Sequence, residues 1–484
     1  MLAVLENLNP KDVFHYFELI SSIPRGSGNE KVISDFMVKF AKDLGLWVMQ
    51  DEVNNVYIKK PASIGYEHCP AVILQGHLDM VCEKNSDSQH DFSSEGLKLI
   101  IEEDYIKAKG TTLGADNGVA IAYQMAILAD QSLKHPPLEV VMTTDEERGM
   151  TGAEHLHAEY LEGKTVINLD TELEGEFLVS NAGGIRVNLE LDLEYLPVEK
   201  KFSFYKIVIS RLLGGHSGAD IHLERANAHI LMGRILSEIR KNISFNIAYI
   251  IGGSKDNVIT RECTVTIACS KQDEPDLLSV IAKVQDLFKI EYAAVDPNIM
   301  VEVIPTENSK QYLTDKITNS IIDVLLLIPN GVIGYSHSIK DLVETSLNLG
   351  IVQMDNDKIT FSSAIRSSVP SKKYELVDNL EVLASLVDAK FSKRADYPAW
   401  VYQKNSKLRD ICLKLYREMY GKEPKVTAIH AGLECGYIAK KIKGADIIAF
   451  GPNMWGIHSP DEKVSISSMA RVYEYLKVLL ENLR

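Results

Sequence analysis

The chain has 484 residues, 45% of them hydrophobic and 25% charged, as in an ordinary soluble globular protein. That length exceeds one ordinary core, so two domains are expected. A formal net charge of −15 speaks against nucleic acid or an anionic membrane surface as a partner. No apolar run approaches the roughly 20 residues that span a bilayer; Ile321 to Ile328 is among the longest. The N-terminal Met-Leu-Ala-Val-Leu-Glu-Asn-Leu-Asn-Pro lacks a basic segment ahead of a long apolar one, so no signal peptide is expected. The six cysteines (Cys69, Cys82, Cys263, Cys269, Cys412 and Cys435) form no C-x-x-C pair. They read as structural thiols of a reducing cytoplasm, with only Cys82 near the acidic clusters described below.

In chain order, Asn9 to Leu44 predicts amphipathic helices broken by the turn Ile23-Pro-Arg-Gly-Ser-Gly. Val53 to Lys59 and Ala71 to Gln75 predict strands, and Val119 to Leu128 a helix after the loop Gly114 to Gly118. Leu138 to Thr143 and Lys164 to Leu169 predict two more strands, with Thr151 to Tyr160 helical between them. This alternation indicates an α/β sheet covered by helices. From about Arg186 the pattern changes: a strand at Phe204 to Ser210, then Gly214-Gly-His-Ser-Gly, then a helix from Leu223 to Lys241. Two hairpin-then-helix units follow. One runs from Asn246 through Cys263 to Cys269 and a helix near Pro275 to Phe288. The other runs from Thr345 through Lys358 to Arg366 and a helix from Tyr374 to Lys390. They suggest an internal duplication. After Ala395-Asp-Tyr-Pro the α/β texture returns, with helices at Lys407 to Tyr420 and Ile466 to Leu483 around a strand at Ala445 to Phe450. The expected organisation is a catalytic domain in two segments, 1–185 and 393–484, interrupted by an inserted α+β lid at 186–392.

The chemistry concentrates in five clusters: His77 with Asp79, Asp116, Glu146 with Glu147, Asp170, and His458. Four of them follow an apolar strand, the place where open α/β sheets put their sites. His and Asp two apart at a strand end can project to one side, so a carboxylate can orient a metal-binding imidazole. Glu-Glu pairs are common on solvated helix faces. Here the pair ends a strand and precedes Arg148-Gly-Met-Thr-Gly, so one glutamate can ligate while the other serves as a base. Asp116 in Gly-Ala-Asp-Asn-Gly also suits a turn or helix cap, and His458 taken singly suits a loop histidine. Together the His and carboxylate set suits Zn²⁺ or Mn²⁺ and not an all-oxygen Ca²⁺ site.

The motifs Gln-Gly-His77-Leu-Asp79-Met, Gly-Thr-Thr-Leu-Gly-Ala-Asp116-Asn-Gly, Glu146-Glu147-Arg-Gly-Met-Thr-Gly, Asn-Leu-Asp170-Thr-Glu and His458-Ser-Pro-Asp-Glu run in this order. In that order they resemble those of the di-zinc aminoacylase and carboxypeptidase superfamily. Gly-Gly-His216-Ser-Gly-Ala-Asp, Ser346-Leu-Asn-Leu-Gly and His430-Ala-Gly-Leu-Glu-Cys-Gly are similar to one branch, the aminoacyl-histidine dipeptidases or cytosolic dipeptidases D. The likeness covers essentially the whole chain.

The resemblance implies a mixed-sheet di-zinc exopeptidase fold with an inserted lid. Two divalent ions are expected, Zn²⁺ first, with Co²⁺ or Mn²⁺ as alternatives. Asp116 would bridge them, His77 and Asp170 completing one site and Glu147 and His458 the other. Glu146 would be the general base acting on a metal-bridging water, and Asp79 the partner of the His77 ring. The Asp116-Asn117 peptide bond is expected to be cis. In the lid, His216 would stabilise the oxyanion and Asn257 would lie near the substrate. Thr260 stands where relatives often carry proline. Arg366 would take the substrate carboxylate, with His430 and Gly432 at the same end.

The implied activity is hydrolysis of unblocked dipeptides, Xaa-His (carnosine-like) substrates included, in the cytoplasm. The alternative is an N-acyl amino acid deacylase or a tripeptidase of the same superfamily. A non-catalytic relative would be expected to lack Glu146 or a ligand, and no Gly-x-Ser-x-Gly elbow supports a serine hydrolase. A homodimer is the expected assembly by base rate, although a duplicated lid could supply within one chain what a dimer partner supplies elsewhere.

Overall fold

The computed structural model describes residues 4–198, 202–307 and 309–484. The chain divides into two compact units, Met1–Asn181 with Tyr402–Ala428 and Leu433–Arg484, and Ala182–Val401 with Ile429–Gly432.

The first unit is built on an eight-stranded mixed sheet. Its order is Trp47–Gln50, Val56–Lys60, Leu138–Thr143, Val72–His77, Thr165–Asn168, Asp446–Ala449, Glu176–Asn181 and Lys425–Ile429. The middle strands Leu138–Thr143, Val72–His77, Thr165–Asn168 and Asp446–Ala449 run parallel. Val72–His77 and Leu138–Thr143 are buried along their whole length, as strands covered on both faces are. Helix Ala115–Ala129 is apolar nearly all round and buried from Val119 to Leu128. The closing helix Ile466–Asn482 starts where the Ser465 side chain accepts the Ser468 N–H, and it buries Met469, Val472, Leu476 and Leu480. Helix Lys407–Tyr420 is capped by Ser406 and stops at Gly421, which takes the left-handed conformation (φ 62°).

The second unit is a nine-stranded sheet, antiparallel in every pairing described. Its core lies between one sheet face and the helices Ala228–Asn242, Glu274–Glu291, Asp315–Leu327 and Pro370–Leu386. Ile185, Val187 and Ile365 belong to that core. Period-two alternation therefore turns Arg186 and Arg366 to the opposite face. The hairpins Phe245–Gly252 with Cys263–Ser270 and Val343–Met354 with Lys358–Ser367 are each followed by a helix, and they meet through Ile251 and Gln353.

Three elements depart from the sequence expectation. The helix expected from Leu223 begins at Ala228, because Glu224 is left-handed (φ 51°) and Asn227 caps the helix by accepting the His229 N–H. Thr151 to Tyr160 is not one helix but two short turns, Thr151–Glu154 and Ala158–Tyr160. Helix Pro370–Leu386 ends before Lys390, which opens the edge strand Lys390–Tyr397. That strand is charged and mostly exposed, so its sequence carries no apolar alternation. Among the described residues no helix is long and apolar enough to cross a membrane.

Candidate active site

In the first unit the predicted ligands converge. His77 ends its strand, with Nε2 3.1 Å from Asp116 Oδ1 and 3.7 Å from Asp170 Oδ1. Asp116 presents its other oxygen, Oδ2, 3.4 Å from His458 Nε2, which lies 3.0 Å from Glu147 Oε2. Two ligand groups, His77-Asp116-Asp170 and Asp116-Glu147-His458, each have donor atoms within 4.8 Å of one another, and Asp116 belongs to both. Glu146 falls in a third such group with His77 and Glu147. The Asp116-Asn117 peptide bond is cis.

Asp79 does more than face His77. The ring Nδ1 is 3.1 Å from the Asp79 main-chain oxygen and 3.4 Å from its Oδ1. The carboxylate also accepts the Glu146 N–H at 3.0 Å, the Glu147 N–H at 3.3 Å and the Ser27 hydroxyl at 2.7 Å. One buried side chain thus joins the His77 strand end to the Glu146–Glu147 turn. That turn opens at Asp145 in the left-handed region (φ 55°), which aspartate enters more readily than most residues because its side chain can bond locally. Ion pairing with Arg148 at 2.6 Å and a hydrogen bond from the Thr151 hydroxyl hold it there.

The donor set fits a pair of divalent cations. Burial pushes the carboxyls of Asp170 and Glu146 up, and neighbouring carboxylates add to it, Asp116 at both positions. For Asp116, burial acts to raise the carboxyl, but hydrogen bonds from His458 and His77 outweigh it and hold it well below the usual range. His458 is pushed up to about 10 by its hydrogen bonds to Asp116 and Glu147. Positive charge is what these carboxylates lack, and a mixed nitrogen and oxygen set suits zinc or manganese.

The second unit holds the other predicted residues. His216 Nδ1 accepts the N–H groups of Gly218 at 3.2 Å and Ala219 at 3.1 Å. A neutral ring so bonded carries its proton on Nε2, leaving that atom a donor. Burial and then the charge of Arg366 hold His216 below its ordinary pKa. The buried Arg366 donates to the Tyr397 hydroxyl at 2.9 Å, and its Nε has no partner. His430 lies 2.7 Å from the Ser346 hydroxyl and is pushed down to about 3 by burial and then by Arg366. His216, Arg366 and His430 thus form one cluster. The Asn257 carbonyl joins it by accepting the Ser217 N–H at 2.9 Å, and Gly432 lies two residues beyond His430 in the same loop. Thr260 is buried and donates its hydroxyl to the Gly350 carbonyl at 2.9 Å.

Residues 73–482 match the model of Peptidase family M20/M25/M40. The chain belongs to this family. It is 38% identical to the cytosol non-specific dipeptidase of Escherichia coli (strain K12), over 100% of this chain and 99% of that protein. It superposes on the crystal structure of the aminoacylhistidine dipeptidase from Vibrio alginolyticus with a TM-score of 0.94 and 36% identity, covering 99% of this chain and 97% of that one. Aminopeptidase PepT from Bacillus cereus shares the fold (TM-score 0.57, 16% identity, 98% and 99% covered).

Three residues of this M20 peptidase to which the sequence reading gave no side-chain role, Glu462 and Asn117 within its motifs and Arg25 outside them, hold its centre in place. The Glu462 carboxylate is buried and accepts the N–H groups of Leu113, Gly114 and Ala115 at 2.7–2.9 Å and that of Asp116 at 3.4 Å. The buried Arg25 guanidinium donates to the carbonyls of Leu78, Asp79 and Gly114. Asn117 accepts the His77 N–H at 3.1 Å and donates to the Leu169 carbonyl at 2.8 Å. Gly76 permits that approach, since a Cβ there would lie 2.5 Å from Asn117 Oδ1. Glu462→Ala strips the acceptor from several buried N–H groups and leaves Arg25 short of a counter-charge. A loss on the order of 3–5 kcal/mol in urea unfolding is expected; a loss below about 1 kcal/mol would mean that the loop is held some other way.

Proposed function

We propose that this M20 peptidase is a dipeptidase acting on unblocked dipeptides, Xaa-His substrates among them, with two divalent cations, Zn²⁺ first. The reading is carried by its full-length likeness to two dipeptidases, together with the sharing of Asp116 between two ligand groups. His77, Asp116 and Asp170 would hold one ion, and Asp116, Glu147 and His458 the other. Such ions, when bound, polarise the peptide carbonyl and make water a nucleophile near neutral pH. Glu146 takes the proton of the attacking water and returns one to the leaving amine. Asp79 keeps the Glu146 main chain in place while that proton moves. His216 donates its Nε2–H to the carbonyl oxygen as charge develops there.

Arg366 recognises the free carboxylate of the substrate, with Asn257, His430 and Gly432 as further contacts. The lid expected at 186–392 falls within the second unit, Ala182–Val401 with Ile429–Gly432, which is read as an inserted, internally duplicated lid whose closure would favour short peptides. Arg366→Lys replaces a planar fork by a point charge. KM for a dipeptide should rise about tenfold or more, one lost charged hydrogen bond being worth about 1.5–3 kcal/mol. KM for the same dipeptide amidated at its C-terminus should change little. Equal effects on both substrates would remove Arg366 from carboxylate recognition.

The deciding experiment combines metal analysis of the purified protein with a panel of Ala-His, β-Ala-His, a tripeptide and N-acetyl amino acids. Turnover confined to the N-acetyl compounds or to the tripeptide would overturn the dipeptidase reading. The cytoplasm is the compartment we assign, supported by six cysteines free of disulfides. A homodimer is the proposed assembly, and sedimentation equilibrium tests it.

A further inference from the structure

The motif His430 to Gly436 contains a carboxyl that the proposed chemistry does not use. Three polar side chains, Gln75, Thr143 and Asn168, are fully buried in the first unit just behind the ligand positions. Gln75 precedes His77 by two residues and Asn168 precedes Asp170 by two, so each shares a side of the chain with its ligand where the backbone is extended. Thr143 is the Cα partner of His77 and comes three residues before Glu146. Gln75 and Asn168 are also Cα partners, and Asn168 Nδ2 donates to Gln75 Oε1 at 2.6 Å. Gln75 Nε2 donates to Thr143 Oγ1 at 3.0 Å.

Into this layer comes Glu434, from far along the chain and wholly buried. Its Oε2 accepts from Gln75 Nε2 at 2.5 Å and from Thr143 Oγ1 at 2.7 Å, while its Oε1 has no hydrogen-bond partner. No lysine or arginine is paired with it among the described residues. Burying a carboxyl in this way is unfavourable, and an apolar side chain of similar volume would serve packing better. Its presence calls for a reason other than stability.

We propose that Glu434 is a positioning residue of the metal centre. It clamps Gln75 to Thr143, and through Gln75 it reaches Asn168, so one carboxyl sets the spacing of the strand ends that carry His77, Asp170 and the Glu146–Glu147 turn. The inference rests on the ligand assignment made under Proposed function.

The test is the Zn²⁺ affinity of metal-stripped protein, measured by competition with a chromophoric chelator, alongside the melting temperature of the same stripped protein and the steady-state kinetics of the reloaded enzyme. Glu434→Gln keeps the shape but replaces an acceptor by a donor, and Thr143→Val removes one arm of the clamp should the first variant fold poorly. Each should weaken Zn²⁺ binding by roughly 10- to 100-fold, the usual effect of removing a group that orients ligands. kcat should fall with KM nearly unchanged, and the melting temperature of the stripped protein should stay close to wild type. Wild-type Zn²⁺ affinity in both variants overturns the inference, as does a large fall in melting temperature with affinity and kcat intact. His77→Ala runs in parallel. If it retains both metals, the ligand assignment fails and this inference with it. If it loses metal while Glu434→Gln and Thr143→Val both bind normally, the inference alone fails.

Discussion

Glu146→Gln lowers kcat for a dipeptide by roughly 10²- to 10⁴-fold, the contribution of a positioned general base, while the protein keeps its full metal content. Glutamine matches the shape of glutamate but cannot accept a proton from water at neutral pH. The turn should survive, because Asp79 holds it through the main-chain N–H groups of Glu146 and Glu147 and not through the Glu146 side chain. The variant also separates two roles that geometry leaves adjacent, since Glu146 stands within ligand reach of His77 and Glu147. A base leaves metal content unchanged and activity nearly gone. A ligand leaves the protein short of one metal equivalent. Metal analysis and kcat on the same preparation decide between them, and near wild-type turnover removes Glu146 from both roles.

The parts of the centre that sequence made visible are those that follow apolar strands. His77, the Glu146–Glu147 pair, Asp170 and His458 could be placed because each comes after a run whose burial is plain from composition. The groups that hold them follow no buried strand, and although Glu462 and Glu434 lie within the motifs His458-Ser-Pro-Asp-Glu and His430-Ala-Gly-Leu-Glu-Cys-Gly, the motifs alone give their side chains no role. Glu462 binds the Leu113–Asp116 loop from 346 to 349 residues away, and Glu434 reaches Gln75 across 359. A single buried charge at that separation leaves no periodicity to detect. Arg25 lies in a turn that the sequence marks only as a break between helices, although its guanidinium binds three carbonyls beside the centre. The edge strand Lys390–Tyr397 escaped for the opposite reason. Its pairing is made by main-chain groups, and its charged side chains look like any solvated surface.

The structure also redraws the division of labour between His77 and Asp79, two residues apart at one strand end. His77→Ala removes the only nitrogen in its ligand group and leaves Asp116 and Asp170 facing each other unrelieved, so that site should lose its metal and activity should vanish with it. Asp79→Asn should behave differently. Its ring contact is at 3.4 Å, and the ring Nδ1 keeps a nearer partner in the Asp79 main-chain oxygen at 3.1 Å. The His77 ring should therefore stay roughly oriented and the metal largely bound. What asparagine cannot reproduce is a carboxylate accepting from Glu146, Glu147 and Ser27 at once, because its amide nitrogen turns a donor toward an N–H or hydroxyl. The damage falls on the Glu146–Glu147 turn, and hence on proton transfer. Activity should drop by roughly 10- to 100-fold with most of the metal still present. Metal content measured beside kcat for the two variants gives the comparison. An Asp79→Asn protein as empty as His77→Ala would show that the carboxylate acts chiefly on the imidazole. An Asp79→Asn protein with full metal and full activity would show that the turn does not need it.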